Sequence, residues 1–415
     1  VSGKLTAPRG TNDLLPEQAG MRLRVEETAR ELLEGAGYGR IETPAFEATE
    51  LFARGVGAAT DIVEKEMYSF DDGGGRSLTL RPEGTAPVCR AYVEHGMHKL
   101  PAPVKLYYLE SFFRAERPQA GRYRQFWQVG AEALGSDDPA VDAELIVLLH
   151  SLLGALEAGG LRLRLSSLGT PAARSEYREE LVSYLRANES RLSEVVRGRI
   201  DHNPLRAFDS DDPSTREVMA GAPRLLDRLP VDDLEHFAEV RKLLEVAGVP
   251  FEIDTTLVRG LDYYTRTVFE FTSDDLGGGG QSTVGAGGRY DGLVELLGGP
   301  PTPGVGWASG IERILLASHQ PPPAAPVPDL YVAHDNARTA AFRVALDARA
   351  AGLRVELELG GRSLKGQFKH AERLDARFVA VVDEDGSTLR DRRGGGERAL
   401  PTNEIVASVR REVGS

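Results

Sequence analysis

Between residues 20 and 36 the apolar positions Met21, Val25, Ala29, Leu32 and Leu33 recur at spacings of three and four, which predicts an amphipathic helix stopped by Gly35 and Gly37. Ahead of it, Pro8, Gly10, Asn12, Asp13 and Pro16 mark an irregular lead-in. Residues 40–53 follow as an extended or short helical stretch holding Pro44. The pattern then changes. Runs rich in β-branched and aromatic side chains predict strands at 66–70, 77–80, 104–110 (VKLYYLE) and 125–134 (QFWQVGAEAL), with DDGGG as a turn between the first two. Strands that neighbour in sequence point to an antiparallel sheet rather than a repeating βαβ unit. A helix over 139–155 and an alternating strand over 161–166 (LRLRLS) come next. Residues 172–235 are charged, helical in pattern and without a strong strand, and read as a helical insertion. A helix over 236–248, sheet patterning over 251–272 and a glycine-rich turn at 277–280 follow, and then GVGWASGIERILLA at 304–317 feeds a turn or strand into a helix.

Four prolines between 321 and 326 exclude a core element, so 321–328 is predicted to be a linker. Beyond it the alternation is that of a small α/β domain over 329–415: a strand at LYVAHD, a helix at 336–351, a strand at LRVELEL, a helix at SLKGQFKHAERL, a strand at ARFVAVVDED and a helix at 402–412. The body before the linker, 1–320, is the larger domain. With 415 residues, more than one domain is expected, because single cores stop growing at roughly 250–300 residues.

Composition narrows the class. Apolar residues make up 41%, a globular proportion. The N-terminal VSGKLTAPRG has no apolar signal segment and no apolar run approaches a membrane span, so a cytoplasmic protein without membrane association is expected. Cys89 is alone, which excludes a disulfide framework and a Cys-built metal centre. His95 and His98 lie three apart without a third ligand nearby, so no protein-held metal is predicted. The formal charge of −13 argues against an indiscriminate nucleic-acid coat. The acidity is uneven, however: from Pro321 onward 15 Lys and Arg meet 14 Asp and Glu.

Four segments carry candidate chemistry. TLRPEGTAP at 79–87 places a carboxylate beside a hydroxyl, suited to an ammonium group or to a turn with a surface ion pair. Within 105–124, Lys105, Arg114, Arg117, Arg122 and Arg124 outnumber Glu110 and Glu116, with a turn at Pro118 and Gly121, and forked guanidinium donors suit phosphate or carboxylate. VRGLDYYTRTVFEF at 258–271 sets Arg259 and Arg266 with paired tyrosines in an apolar stretch, where an anion or Asp262 or Glu270 would serve as partner. Arg362, Lys365, Lys369 and Arg373 follow spacings of three, four and four, a stripe on one helical face that fits a polyanion backbone or a solvated surface. No P-loop is present.

Taken together these segments resemble the histidyl-tRNA synthetases of bacterial type, a family of class II aminoacyl-tRNA synthetases. GYGRIETPAFEATELF at 37–52 is similar to the first class II motif, FFRAERPQAGRYRQFWQVGAEALG at 112–135 to the second, and GVGWASGIERI at 304–314 to the third. LVRGLDYYTRTVFE at 257–270 and AGGRYDGL at 286–293 resemble segments peculiar to the histidine enzymes. The resemblance implies an α+β fold: a class II catalytic domain over 1–320 with a six- or seven-stranded antiparallel sheet, flanking helices and the 172–235 insertion, then an α/β anticodon-binding domain over 329–415. It implies a homodimer that joins L-histidine to ATP, with Mg²⁺, and passes the histidyl group to histidine tRNA. By the same resemblance Glu83, Thr85 and Gln128 hold the α-amino group, Glu132 and Tyr264 read the imidazole, and Tyr263 shapes the pocket. Arg114 and Arg259 are implied at the carboxylate and α-phosphate and Arg313 at the γ-phosphate. Arg117, Arg122 and Arg124 are placed on the acceptor end of the tRNA, and the 362–373 stripe on its anticodon arm. The regulatory subunit of ATP phosphoribosyltransferase shares the catalytic-like domain, but typically lacks the tail domain and departs at the catalytic arginines. In the tail, LRDRRGGGERALP at 389–401 is richer in glycine and arginine than the family's usual strand and turn.

Overall fold

The computed structural model describes residues 4–57, 60, 62–258, 261, 263–277, 282–383, 386–394 and 396–414. The chain divides into two compact units, Val1–Pro322 and Pro323–Ser415.

The strands of the first unit are β1 (Gly39–Arg40), β2 (Phe46–Ala48), β3 (Tyr68–Asp71), β4 (Ser77–Leu80), β5 (Val104–Phe113), β6 (Gln125–Leu134), β7 (Leu161–Ser167), β8 (Glu252–Ile253), β9 (Thr265–Ser273), β10 (Thr283–Arg289) and β11 (Gly304–Gly310). Among the described residues, eight of them form one sheet in the order β1-β5-β6-β11-β10-β9-β7-β8, and β2-β4-β3 form a small one. The six long strands are antiparallel throughout. Two-residue strands add a parallel pairing at each edge, β1 on β5 and β8 on β7, so the sheet is wider than six or seven strands.

Alternation along each strand sorts side chains to two faces. One face carries Tyr107, Val129, Ala131, Phe269, Phe271, Val305 and Trp307 and is covered by the helices Pro16–Gly35, Pro139–Ala155 and Val231–Val246 through Val25, Leu33, Leu149, Phe237 and Leu244. The in-between positions, Gln128, Gly130, Glu132, Glu270 and Gly306, therefore point to the other face. Part of that face, at Tyr108, Phe112 and Leu134, is covered by Val88, Cys89 and Tyr92 of the helix Thr85–Glu94, and the rest opens to a cavity.

Two buried ion pairs brace the sheet. Arg289 at the end of β10 pairs with Asp142 in the helix Pro139–Ala155, both wholly buried, and also donates to Ser136 O at 2.9 Å and Asp291 Oδ1 at 3.1 Å. Arg81, after β4, meets Glu110 of β5 at 2.7 Å, and Glu110 accepts from the Thr43 N–H at 2.7 Å. That second pair anchors the segment around Pro44 and the small sheet onto β5.

The insertion has its own apolar core, including Tyr177, Leu181 and Leu185 of the helix Pro171–Ala187 and Val218 and Met219 of the helix Pro213–Ala220. The helix predicted at 236–248 begins instead at Val231, and its Phe237, Val240 and Leu244 belong to the sheet's core. Its first turn holds Asp232 and Asp233 beside an exposed Val231, so the apolar rhythm begins a turn late. Among the described residues, sheet patterning over 251–272 resolves into β8 and β9. Asp254 breaks the run, accepting from the Thr256 N–H at 2.8 Å and hydroxyl at 2.6 Å.

In the second unit β12 (Leu330–His334), β13 (Val355–Leu357), β14 (Phe378–Asp383), β15 (Gly386–Asp391) and β16 (Glu397–Leu400) form a sheet in the order β13-β12-β14-β15-β16. The helices Arg338–Ala350, Leu364–Arg373 and Ile405–Val413 accompany it. Among the described residues, no helix is long and apolar enough to cross a membrane.

The Arg289–Asp142 pair generates a stability prediction. Asp142→Ala strands a fully buried guanidinium, and a loss of about 3–5 kcal/mol is expected in the denaturant unfolding of the full chain. A change below about 1 kcal/mol would contradict a braced sheet.

Candidate active site

The open face of the sheet forms the floor of a cavity of about 1010 Å³. Its wall includes Glu83, Thr85, Tyr108, Arg114, Gln128, Tyr263, Tyr264, Tyr290 and Arg313, and the insertion contributes Arg206, Phe208 and Asp209. Segments remote in sequence thus meet at one place.

Glu83 precedes the helix Thr85–Glu94 and is 5% exposed. Its carboxylate accepts from the Thr85 and Ala86 N–H groups, each at 2.9 Å, at the positive end of the helix dipole. The Tyr263 hydroxyl lies 3.5 Å from the same carboxylate. Burial pushes the Glu83 carboxyl up, against the pull of those two N–H groups and of Arg114. Gln128, at the start of the β6–β11 ladder, has a buried Oε1 with no hydrogen-bond partner among the described residues. The preceding residue is fixed from β11's side, where the Trp127 N–H donates to Glu312 at 3.0 Å, next to Arg313.

Glu132 lies beneath this wall, wholly buried. It receives three hydroxyls: Thr85 at 2.8 Å, Tyr290 at 2.6 Å and Tyr108 at 3.4 Å. Burial pushes its carboxyl up to about 8 although those hydroxyls favour the charged form. Glu132 itself is not part of the cavity wall, whereas all three hydroxyl residues are. Tyr263 bridges the tyrosines, its ring centroid 4.8 Å from that of Tyr264 and 5.8 Å from that of Tyr290.

Arg114, just past β5, donates from Nε to Pro82 O at 2.9 Å and lies 5.3 Å over the Phe126 ring. Arg313, at the start of the helix Ile311–Ala317, donates from Nε to Thr283 O, and burial followed by the nearby Arg122 charge lowers its guanidinium to about 10. A cation disfavoured by burial and a like charge is one that a polyanion would relieve. Arg259 lies outside the described residues. Of the remaining hairpin arginines, Arg117 is exposed, and Arg122 lines the cavity 3.7 Å from Glu116. Arg124 is turned to the lead-in instead, donating to Glu116 O at 3.3 Å and Arg9 O at 3.4 Å.

In the tail unit Lys365, Lys369 and Arg373 are exposed on the helix Leu364–Arg373. Arg362 does not share that face, because it precedes the helix and its guanidinium binds the buried Glu358 at 3.1 Å. Ser363 holds the N-cap position without a side-chain cap bond, and the helix begins at Leu364, two residues after Arg362. The sequence reading passed over Tyr108 and Tyr290. Period-two alternation puts Tyr108 on the open face with Glu110 and Phe112, and Tyr290 stood inside the quoted AGGRYDGL without a role.

An antiparallel sheet with a cavity on one face, an arginine-bearing hairpin from β5 to β6 and a strand feeding an arginine-bearing helix at β11 define a class II aminoacyl-tRNA synthetase. The family pattern for histidyl-tRNA synthetase matches residues 10–314, and that for an anticodon binding domain matches residues 329–412. A histidine–tRNA ligase from Desulforudis audaxviator is 48% identical over 98% of this chain and 99% of its own length. One from Halorhodospira halophila is 47% identical over 98% of each. The solved structure of apo S. aureus histidyl-tRNA synthetase superposes with a TM-score of 0.81 at 34% identity, covering 98% of this chain and 100% of that one. The chain belongs to the histidyl-tRNA synthetase family. It is an ATP-dependent enzyme that activates histidine and transfers it to histidine tRNA.

Glu132 generates a pH prediction. Its folded value is raised, so its contribution to stability is whole below the ordinary glutamate value of 4.5 and is lost as pH rises to about 8. Glu132→Gln lacks that titration. Between about pH 5 and about pH 8, the melting temperature of the parent chain is expected to fall relative to that of the variant. Parallel curves would contradict a buried carboxyl of raised pKa.

Proposed function

We propose that the cavity binds histidine against Glu83, Thr85, Gln128, Glu132 and Tyr264 and ATP against Arg114, Arg259 and Arg313, and joins them as histidyl-adenylate. The observation that carries this assignment is the Gln128 carbonyl oxygen, buried and unpartnered in a wall that also holds the Glu83 carboxylate. One unpartnered acceptor and one carboxylate on the same wall suit an ammonium group, since a buried acceptor left unpaired is costly. Thr85 adds a hydroxyl beside them. Tyr264 serves one imidazole nitrogen, Glu132 serves the other from beneath the wall through the hydroxyls of Thr85, Tyr290 and Tyr108 that cover it, and Tyr263 closes the pocket. A site whose polar groups match two ring nitrogens rejects a ligand lacking them.

In this reading the histidine carboxylate attacks the α-phosphorus and pyrophosphate departs. The barrier is the approach of two anions and the charge growing on phosphoryl oxygens. Arg114 spans the carboxylate and α-phosphate and Arg313 holds the γ-phosphate, with Arg259 the further α-phosphate contact that the family resemblance implies, so their work is electrostatic. Among the described residues no three His, Cys, Asp or Glu converge as a metal cluster, but Glu116 and Glu270 line the cavity singly. Those two would complete a Mg²⁺ ion held mainly by ATP oxygens. When bound, the ion neutralises the departing pyrophosphate. In the second step the terminal ribose hydroxyl of tRNA attacks the adenylate carbonyl, an adenylate phosphate oxygen takes the proton, and AMP leaves.

Arg117 and Arg122 are the hairpin cations available to the acceptor end, with Arg124 holding the hairpin's base. Lys365, Lys369 and Arg373 offer the tail's contact to the anticodon arm, with Arg362 beside them. The protein works as a homodimer joined through residues 37–52, in the cytoplasm with its tRNA. The regulatory-subunit reading is disfavoured by Arg114, Arg313 and the anticodon-binding match over 329–412.

Two experiments test this. Arg114→Ala is expected to lower histidine-dependent ATP–pyrophosphate exchange by about 10²-fold or more. Undiminished exchange would remove Arg114 from the chemistry. Deleting 321–415 is expected to weaken tRNA charging far more than exchange, and equal losses would count against tRNA contact by the tail.

A further inference from the structure

Arg266, the second residue of β9, has a φ of +45°, a left-handed backbone that a long side chain rarely adopts. It lies in a bulge. Gly288 of β10 faces Val268, but the next residue, Arg289, faces Thr265, so Arg266 and Thr267 have no counterparts on β10. Three bonds hold the bulge. The Arg266 N–H donates to Gly169 O at 2.9 Å, its carbonyl accepts from the Leu168 N–H at 2.7 Å, and its Nε donates to Asp233 Oδ1 at 2.9 Å. Asp233 is 1% exposed, and its other oxygen accepts from the Thr170 N–H at 2.9 Å.

The location gives these bonds a purpose. Gly169 and Thr170 immediately precede the insertion's first helix, and Asp233 lies in the first turn of the helix after the insertion. Both ends of the insertion therefore meet the start of β9 at one guanidinium–carboxylate pair. On the cavity side, Tyr264 is two residues before Arg266 and packs in the insertion's apolar core with Leu168, Leu229 and Leu257. Thr265, between them, accepts from the Asp291 N–H at 3.2 Å, so the short segment is fastened on both sides. Bulges beside active sites re-aim side chains, and backbone strain persists where surrounding structure over-determines it.

We propose that Arg266 is a positioning residue for histidine: its pairing with Asp233 holds the bulge that aims Tyr264 into the pocket and ties that aim to the seat of the insertion. This rests on the reading of Tyr264 as an imidazole contact. A merely structural pair would lower stability without separating histidine from ATP.

The test uses the full chain in pyrophosphate exchange, with histidine and ATP varied separately, for Arg266→Ala, Asp233→Asn, Arg266→Lys and Tyr264→Phe. Arg266→Ala and Asp233→Asn are expected to raise the histidine KM about tenfold while the ATP KM stays within about twofold, the loss of one charge-assisted bond being felt on one substrate. Arg266→Lys keeps a cation on Asp233 and is expected to recover most of the effect. An unchanged histidine KM, or an equal rise in both KM values, would overturn the proposal. If Arg266→Ala does not fold, Asp233→Asn decides alone. Tyr264→Phe judges the underlying reading separately: an unchanged histidine KM there removes Tyr264 as the contact, while the Arg266 and Asp233 variants still decide whether the pair acts on the pocket.

Discussion

A carboxyl group wholly out of water needs hydrogen-bond partners, and Glu132 has three hydroxyls around it. Those hydroxyls come from the strand β5, from the helix Thr85–Glu94 and from the residue after β10, so one buried carboxyl group determines how three elements meet. The backbone around it makes room. At Gly306 on β11 any side chain would overlap the Glu132 carboxylate, and at Gly130 on β6 it would overlap the Tyr108 ring. The hollow under the cavity is thus built into strand positions that a larger residue would close.

The arrangement converts a fold into a selective pocket. Helices cover one face of the sheet and part of the other, and strand residues such as Arg164, Gln128, Glu270 and Gly306 line the cavity on the remainder. Polar side chains there are fixed by rigid elements rather than by loops, which suits discrimination between similar amino acids. The cationic groups come from a different source: Arg114 and Arg313 stand just beyond strand ends, where the chain leaves the sheet.

Much of this was legible in the residues. The pattern of 125–134 and 139–155 marks β6 and its following helix at their observed bounds, because a strand that follows a turn and ends before Gly135, and a helix capped by Asp138 with Pro139 in its first turn, write their limits locally. Other limits are tertiary. Val231 starts a helix whose first turn is polar, so its start was placed five residues late. Arg362 matched a helical spacing but is drawn out of the helix by Glu358, and Arg124 by carbonyls of the lead-in. Tyr108 and Tyr290 escaped notice because their role exists only through Glu132, which is distant from both in sequence. The net charge of −13 hid the positive positions on the hairpin and on the tail helix, which a sum over the chain cannot show.

In the proposed site, Glu132 is the group that makes the pocket one for histidine. The direct measurement is histidine-dependent ATP–pyrophosphate exchange by the Glu132→Gln chain, with its folding checked by circular dichroism at neutral pH. The account predicts that the variant folds and that its kcat/KM for histidine falls by about two orders of magnitude, as for a site whose buried polar match is lost. A folded variant that exchanges as well as the parent chain would contradict it.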